Sequence, residues 1–194
     1  AYETGATLVG VNGWYGSSAG SAVVTNNLFV STPPGGYPIP GAHQQALSFS
    51  GGVTNRFEDS ASRTNVCLDI LMSWEPCLET EQDRVDARDL VAFFVNTNRH
   101  LMVWHGQPGG TNRWTELTGV RASSNAYTRV TLLGAYAPEM NGAFGFRIWI
   151  DRVPVTEPIA WFGTANTNRA SISSLALTGT GQVDDMVVDD YNSM

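Results

Sequence analysis

Apolar and polar positions alternate with a period of two through most of this chain, the pattern of strands with one buried face. Residues 65–74 show it best. Val66, Leu68, Ile70, Met72 and Trp74 fall on one apolar face, and Cys67, Asp69, Leu71 and Ser73 on the other. Residues 143–150 alternate as cleanly, with Phe144, Phe146, Ile148 and Ile150 on one side and Gly145, Arg147 and Trp149 on the other. Asp151-Arg152 follows as a turn. Residues 90–96 form a continuous apolar run, as expected of a buried strand. Asn96-Thr-Asn98 then predicts a turn, and Leu101 to His105 the returning arm of a hairpin that Pro108-Gly-Gly110 closes. In that arm Trp104 alternates away from Leu101, Val103 and His105.

Further strands are predicted over 113–119, 127–136, 172–177 and 183–188, with Thr178-Gly-Thr-Gly181 dividing the last two as a turn. Shorter ones are expected at 8–15, 21–25 and 46–49, and residues 33–41 read as a Pro/Gly-rich loop. The charged stretch 79–89 has room for a helical turn but lacks an apolar stripe. Roughly ten short strands with turn signals between them predict an all-β, two-sheet antiparallel sandwich. No linker and no internal repeat interrupts residues 1–194, so one domain is expected.

Composition narrows the possible partners. The net charge is −7, and all 11 basic residues are Arg. Such a chain repels phosphate backbones and anionic lipid surfaces, which argues against nucleic acid and membrane partners. Calcium, neutral glycans and basic protein surfaces stay open. No apolar run is long enough to span a bilayer. Cys67 and Cys77 lie outside any Cys-x-x-Cys, so zinc and redox motifs are absent, and one disulfide or two separate thiols both fit. Nothing marks a signal peptide; Ala1 suits either a cleaved chain or an excised piece.

Four segments carry a family resemblance. They are Tyr2-Glu-Thr-Gly5 with Asn12-Gly-Trp-Tyr-Gly16, Ala46-Leu-Ser-Phe-Ser-Gly-Gly52, Phe144-Gly-Phe-Arg-Ile-Trp-Ile-Asp151, and Ser174-Leu-Ala-Leu-Thr-Gly-Thr-Gly-Gln-Val-Asp-Asp185. In order and spacing they resemble the concanavalin A-like lectin/glucanase superfamily, particularly laminin-G-like domains of secreted bacterial proteins. The resemblance implies a jelly-roll sandwich at the cell surface or outside the cell. The sequence departs from the pattern at Arg152, where Gly is usual, and in lacking the Phe-Glu that commonly precedes the segment matching Ala1-Tyr2.

The resemblance also frames the candidate chemistry. Family members that bind structural Ca²⁺ do so near the joined termini, which here points to Glu3, Asp184 and Asp185. Glycosidases of the fold carry alternating carboxylates on one strand; Glu79, Glu81 and Asp83 alternate, but in a polar, loop-like stretch. Lyases of the fold combine Tyr or His with Arg and Gln, and His43, His100 and His105 sit in no such set. These comparisons favour a module without catalysis. Six Trp and six Tyr supply stacking surfaces for sugar rings. Trp149 shares a face with Arg147, and Trp104 alternates outward, so Trp104, Arg147 and Trp149 are the candidate ligand-binding residues. The expectation is an extracellular carbohydrate-binding module with a glycan or polysaccharide partner. A structural or adhesive subunit that meets neighbouring protein subunits is the alternative, and a polysaccharide-degrading glycosidase or lyase is third.

Overall fold

The computed structural model describes residues 3–10, 14–16, 18, 22–26, 45–56, 65–77, 90–106, 111–123, 126–136, 142–156, 161–163 and 174–189. Every regular element among them is a strand. In chain order these are β1 (Trp14–Gly16), β2 (Ala22–Asn26), β3 (Gln45–Arg56), β4 (Asn65–Trp74), β5 (Phe93–Val95), β6 (His100–His105), β7 (Arg113–Arg121), β8 (Thr128–Tyr136), β9 (Phe144–Ile150), β10 (Val153–Pro154), β11 (Phe162–Gly163) and β12 (Ser174–Asp189).

Two antiparallel sheets form a β-sandwich. The larger has nine strands and runs β1-β3-β12-β4-β8-β9-β10. Its two edges are each shared by a pair of short strands: β1 and β2 both pair β3, and β10 and β11 both pair β9. Short edge strands offer little template for pairing with another chain. The smaller sheet is β5-β6-β7. Strand β12 returns from the end of the described chain to insert between β3 and β4, a long-range connection of jelly-roll kind.

The core lies between the sheets and is filled by the faces that alternation predicts. Val66, Leu68, Ile70 and Met72 of β4 meet Phe144, Phe146 and Ile148 of β9 and Leu101, Val103 and Leu117 of the smaller sheet in one apolar cluster. Phe144, Phe146 and Phe162 are fully buried. The sheets also touch through backbone at one end, where Gly106 N–H donates to Gly163 O at 2.8 Å. Beside it Gly163 N–H donates to His105 Nδ1 at 3.1 Å, with the His105 ring against Phe162.

Strand β4 spans the residues its alternation predicts, and the Asn96–Asn98 and Asp151-Arg152 turns fall where expected. Elsewhere the structure corrects the expected boundaries. Thr178-Gly-Thr-Gly181 is no turn, because β12 runs unbroken for 16 residues. Those residues pair with Phe49 to Gly52 of β3, Gly179 lying opposite Gly51, and both glycines have positive φ (89° and 79°). Two glycines at the same register let both strands bend together, so the chain flexes without reversing. The expected strand at 8–15 is interrupted by a turn at Val9-Gly10, with Gly10 at φ 85°, and among its described residues it is the Trp14–Gly16 strand that joins the sheet. Of the apolar run 90–96, Phe93–Val95 forms the strand, with Ala92 O and Asn96 N–H also bonded to β6, whereas the strand expected at 46–49 extends over Gln45–Arg56. Cys67 and Cys77 are held as thiols, and Cys77 S–H points to Val95 O at 3.7 Å. The loop 33–41, the charged stretch 79–89, His43, and the Trp74 side chain lie outside the described residues.

Candidate functional site: the outer face of the larger sheet

On β9 the residues between the buried ones project outward, away from the smaller sheet. Arg147 is exposed and Trp149 half-buried. Two residues apart on one strand face, they stand about 7 Å from one another. Their neighbours follow from register. Thr131 of β8 lies opposite Trp149 on one side, and Pro154 of β10 on the other. Leu133 lies opposite Arg147. The Arg147 guanidinium sits over the Trp161 ring, 4.3 Å from its centroid, a cation–π contact that holds the side chain down on the sheet. Two aromatic rings, an exposed proline and an oriented cation thus share the β9 end of this face.

Polar groups continue the surface inward along the sheet. Asp69 of β4 accepts from Arg129 of β8 through both carboxylate oxygens, with Arg129 Nε 2.9 Å from Oδ1 and Nη2 on Oδ2. Thr131 Oγ1 donates to the same Oδ1 at 2.7 Å. This ion pair is mostly sheltered, with side-chain exposures of 16% and 19%. Further along, the buried Tyr127 hydroxyl donates to Gln182 Oε1 at 2.7 Å. A bidentate Arg–carboxylate pair is a geometrically rigid unit. It positions Thr131 beside Trp149 and leaves Asp69 bound to a cation and a hydroxyl, as a structural carboxylate is. Sequence reading gave Asp69 and Arg129 no role. Their membership of alternating strands was visible, but their adjacency depends on β4 pairing with β8.

Trp104 is elsewhere. It projects outward from β6, and since the inner faces of both sheets share one core, its face and that of Trp149 are on opposite sides of the sandwich. Arg147 and Trp149 are therefore brought together, and Trp104 is not joined to them. Across from Trp104 on β7 lies Trp114, ring centroids 5.1 Å apart in an edge contact. Trp114 also meets Phe94 edge-on at 4.8 Å. One row along, Glu116 Oε1 accepts from His100 Nδ1–H at 2.7 Å and from Asn96 Nδ2 at 2.9 Å. The His100 bond first, and then that of Asn96, hold the Glu116 carboxyl below the usual carboxylate range.

The calcium candidates sit at the other end of the larger sheet. Glu3 is exposed, and its carbonyl accepts from Ala6 N–H at 3.0 Å. Asp184 borders a pocket of about 230 Å³ whose described lining is otherwise mostly apolar, with Gln45 and the Trp14 indole as its other polar-bearing side chains. The Asp185 side chain lies outside the described residues. Among the described residues no three acidic, histidine or cysteine groups gather as metal ligands. Calcium is held by six to eight hard oxygens, backbone carbonyls among them. Glu79, Glu81 and Asp83 fall outside the described residues. Of the described histidines, His100 is bonded to Glu116 and His105 to Gly163 N–H.

Comparison with known proteins yields no matching family and no matching curated protein. Among solved structures, the chain is similar to domain 4 of AbnA, a GH43 extracellular arabinanase from Geobacillus stearothermophilus, determined in complex with arabinotriose. Identity is 15%, the match covers 87% of this chain and 82% of that one, and the TM-score is 0.40.

Proposed function

We propose that this domain is a non-catalytic carbohydrate-binding module whose glycan lies on the outer face of the larger sheet, at its β9 end. The observation that carries the reading is the joint placement of Arg147 and Trp149 on one outward face, with Trp161 beneath the guanidinium. A sugar ring has an apolar face of C–H groups and a rim of hydroxyls. Trp149 offers the apolar face a partner through dispersion and CH–π contact. Arg147, already oriented by Trp161, donates to ring or hydroxyl oxygens at small cost in side-chain freedom. Thr131 flanks Trp149 with a hydroxyl of its own. With Arg147 exposed and Trp149 half-buried at the β9 end, while Cys67, Leu71 and Tyr127 further along the same face are buried, the accessible strip suits a short stretch of a polysaccharide chain.

Affinity electrophoresis in gels containing neutral polysaccharides tests the reading. Trp149→Ala is expected to weaken retention about 10-fold or more, as loss of a central aromatic contact does, and Arg147→Ala somewhat less. Retention that survives both substitutions unchanged would remove the site assignment. Release of reducing ends or unsaturated products from a retained polysaccharide would replace the module reading with an enzyme.

A further inference from the structure

We infer that the outer face of the smaller sheet is a second saccharide-binding surface, so that the domain holds two polysaccharide chains on opposite sides. The second surface uses none of the residues of the Trp149 surface, and the bivalence rests on the reading of that surface as well. It begins with the row formed by Trp104 and Trp114. Both rings are half-buried on the sheet face turned away from the inter-sheet core. Phe94 and Met102 of the same face are buried, so the accessible part of the face centres on the two indoles and Glu116. Phe94 and Trp104 both pack edge-on against Trp114, which fixes its plane. Sequence offered Trp104 alone. The Trp114 partnership follows from their direct opposition across β6 and β7.

The polar half of the surface is Glu116, two residues from Trp114 on the same strand face. Its carboxylate is oriented by two donors, His100 and Asn96, and both bonds go to Oε1. Asn96 is buried, and its own Oδ1 is occupied by Asn98 N–H at 3.0 Å and His100 N–H at 2.9 Å, so the support is rigid. Among the described residues Oε2 accepts no bond, and the Glu116 side chain is 38% exposed. An ionised oxygen held in place about 7 Å from a fixed indole asks for a ligand with hydroxyl donors beside an apolar face. A neutral sugar has both. An ammonium ligand would also be drawn to a carboxylate and aromatic rings, but it binds best between several ring faces. Here the two indoles meet at 63°, edge to face, and do not form opposed walls.

The two surfaces are separated by both sheets, whose backbones stack about 10 Å apart, and one glycan segment cannot lie on both. The consequence is bivalence in a monomer, which shows as cross-linking. Beads coated with a polysaccharide that the domain retains (taken from a panel of arabinan, xylan, mixed-linkage glucan and mannan) are mixed with the intact domain. Monomeric state is checked by sedimentation. The wild type is expected to aggregate the beads. Trp104→Ala/Trp114→Ala is expected to bind them about 10-fold more weakly in total and to lose aggregation while retaining the Trp149-dependent part. Glu116→Gln, which keeps the shape and both donors' partner, guards against a folding defect in the double variant. It too is expected to lose aggregation, with a single cooperative melting transition only a few degrees below that of the wild type.

If the double variant aggregates beads as the wild type does, the second surface is refuted. If Trp149→Ala abolishes all binding, the second surface is refuted while the first stands. If instead Trp149→Ala leaves binding intact and the Trp104/Trp114 variant removes it, the second surface stands and the first fails. No retention by any panel member overturns both. Capture on a trimethylammonium resin that the Trp104/Trp114 variant loses, without saccharide binding, overturns the ligand class.

Discussion

Arg152 shows how one residue can mark a cost in the fold. Ile150 pairs with Val153, which leaves a two-residue hairpin loop, and Asp151 and Arg152 both adopt positive φ, 49° and 70°. That is the geometry of a type I′ turn, for which Asp-Gly is a preferred pair. Asp151 fits. Its Oδ1 accepts Arg129 N–H at 2.8 Å, and its own N–H donates to Arg129 O at 2.9 Å, extending the β8–β9 ladder around the corner. Arg152 has a Cβ where Gly has none, at a cost of about 1 kcal/mol. The side chain is exposed. Arg152→Gly is therefore expected to raise stability by about 0.5 kcal/mol after the added freedom of the unfolded chain is subtracted, seen as a higher urea midpoint at unchanged slope. Asp151→Ala should lower it by about 1 kcal/mol.

His105 gives a pH prediction at the same scale. Burial lowers its pKa below the ordinary 6.5, and the Arg113 charge adds to the effect. Gly163 N–H points at Nδ1, so the neutral ring carries its proton on Nε2. Above the ordinary histidine range neither the folded nor the unfolded chain holds this proton, and the full contribution to stability is present. As pH falls through 6.5 the unfolded chain is protonated first. Stability then declines until the pH drops below the folded pKa, where both states hold the proton. Urea midpoints at pH 7.5 and pH 5.5 should differ less in His105→Gln than in the wild type. An equal difference in the two proteins would show that the decline has another source.

At the scale of elements, β12 is the most informative. Its glycines carry opposite meanings in sequence and in structure. Thr178-Gly-Thr-Gly181 has turn composition, yet the segment is strand because β3 brings Gly51 and Gly52 to the same register. Turn propensity is a local preference, and pairing with a partner that bends in the same place overrides it. Gly181 adds a steric reason: a Cβ there would stand 2.5 Å from Ser73 O and 2.9 Å from the Phe49 ring. Gly181→Ala would push β12 off β4 at the centre of the larger sheet, where a backbone atom cannot yield. A loss of about 2–3 kcal/mol is expected. Gly179→Ala, with open space around it but φ 89°, should lose about 1–2 kcal/mol from backbone strain alone. If Gly181→Ala proves the milder of the two, the strands separate more easily than this packing implies.

Strands β9 and β6 show what could be read in advance. Inward or outward direction follows from parity, so Phe146 inside and Trp149, Arg147 and Trp104 outside were legible residue by residue. Sheet membership was not, since period two says nothing about which strand pairs with which. For that reason Trp104 and Trp149 could not be separated, nor Asp69 matched with Arg129, before the order β4-β8-β9 and the separate β5-β6-β7 sheet were known.

For the molecule as a whole, the question is whether two sheets of unequal size unfold together. Their inner faces are one cluster: Phe146 and Ile148 from the larger sheet share it with Leu101, Val103 and Leu117 from the smaller. Among the described residues, the three-stranded sheet is tied to the larger one by the Gly106–Gly163 and Gly163–His105 bonds at one end and by Cys77 N–H to Val95 O at 2.9 Å just beyond β4, and otherwise by this apolar contact. Three strands with a covered apolar face are about the least that stands alone, and with Leu101, Val103 and Leu117 uncovered this sheet should not survive loss of the core. Phe146→Ala removes a fully buried ring at the centre and is expected to cost about 3–5 kcal/mol. Val103→Ala, fully buried on the opposite wall, should cost about 1–3 kcal/mol. In both variants, far-UV circular dichroism, which follows all strands, and tryptophan fluorescence, to which Trp104 and Trp114 of the smaller sheet contribute, should fall in one coincident urea transition. Coincidence means the two outward surfaces are carried on one rigid body, as a cross-linking module requires. An early fluorescence change that left the circular dichroism intact would mean that the smaller sheet detaches first. Its Trp104–Trp114 surface would then be a mobile flap, unable to transmit load between two bound chains.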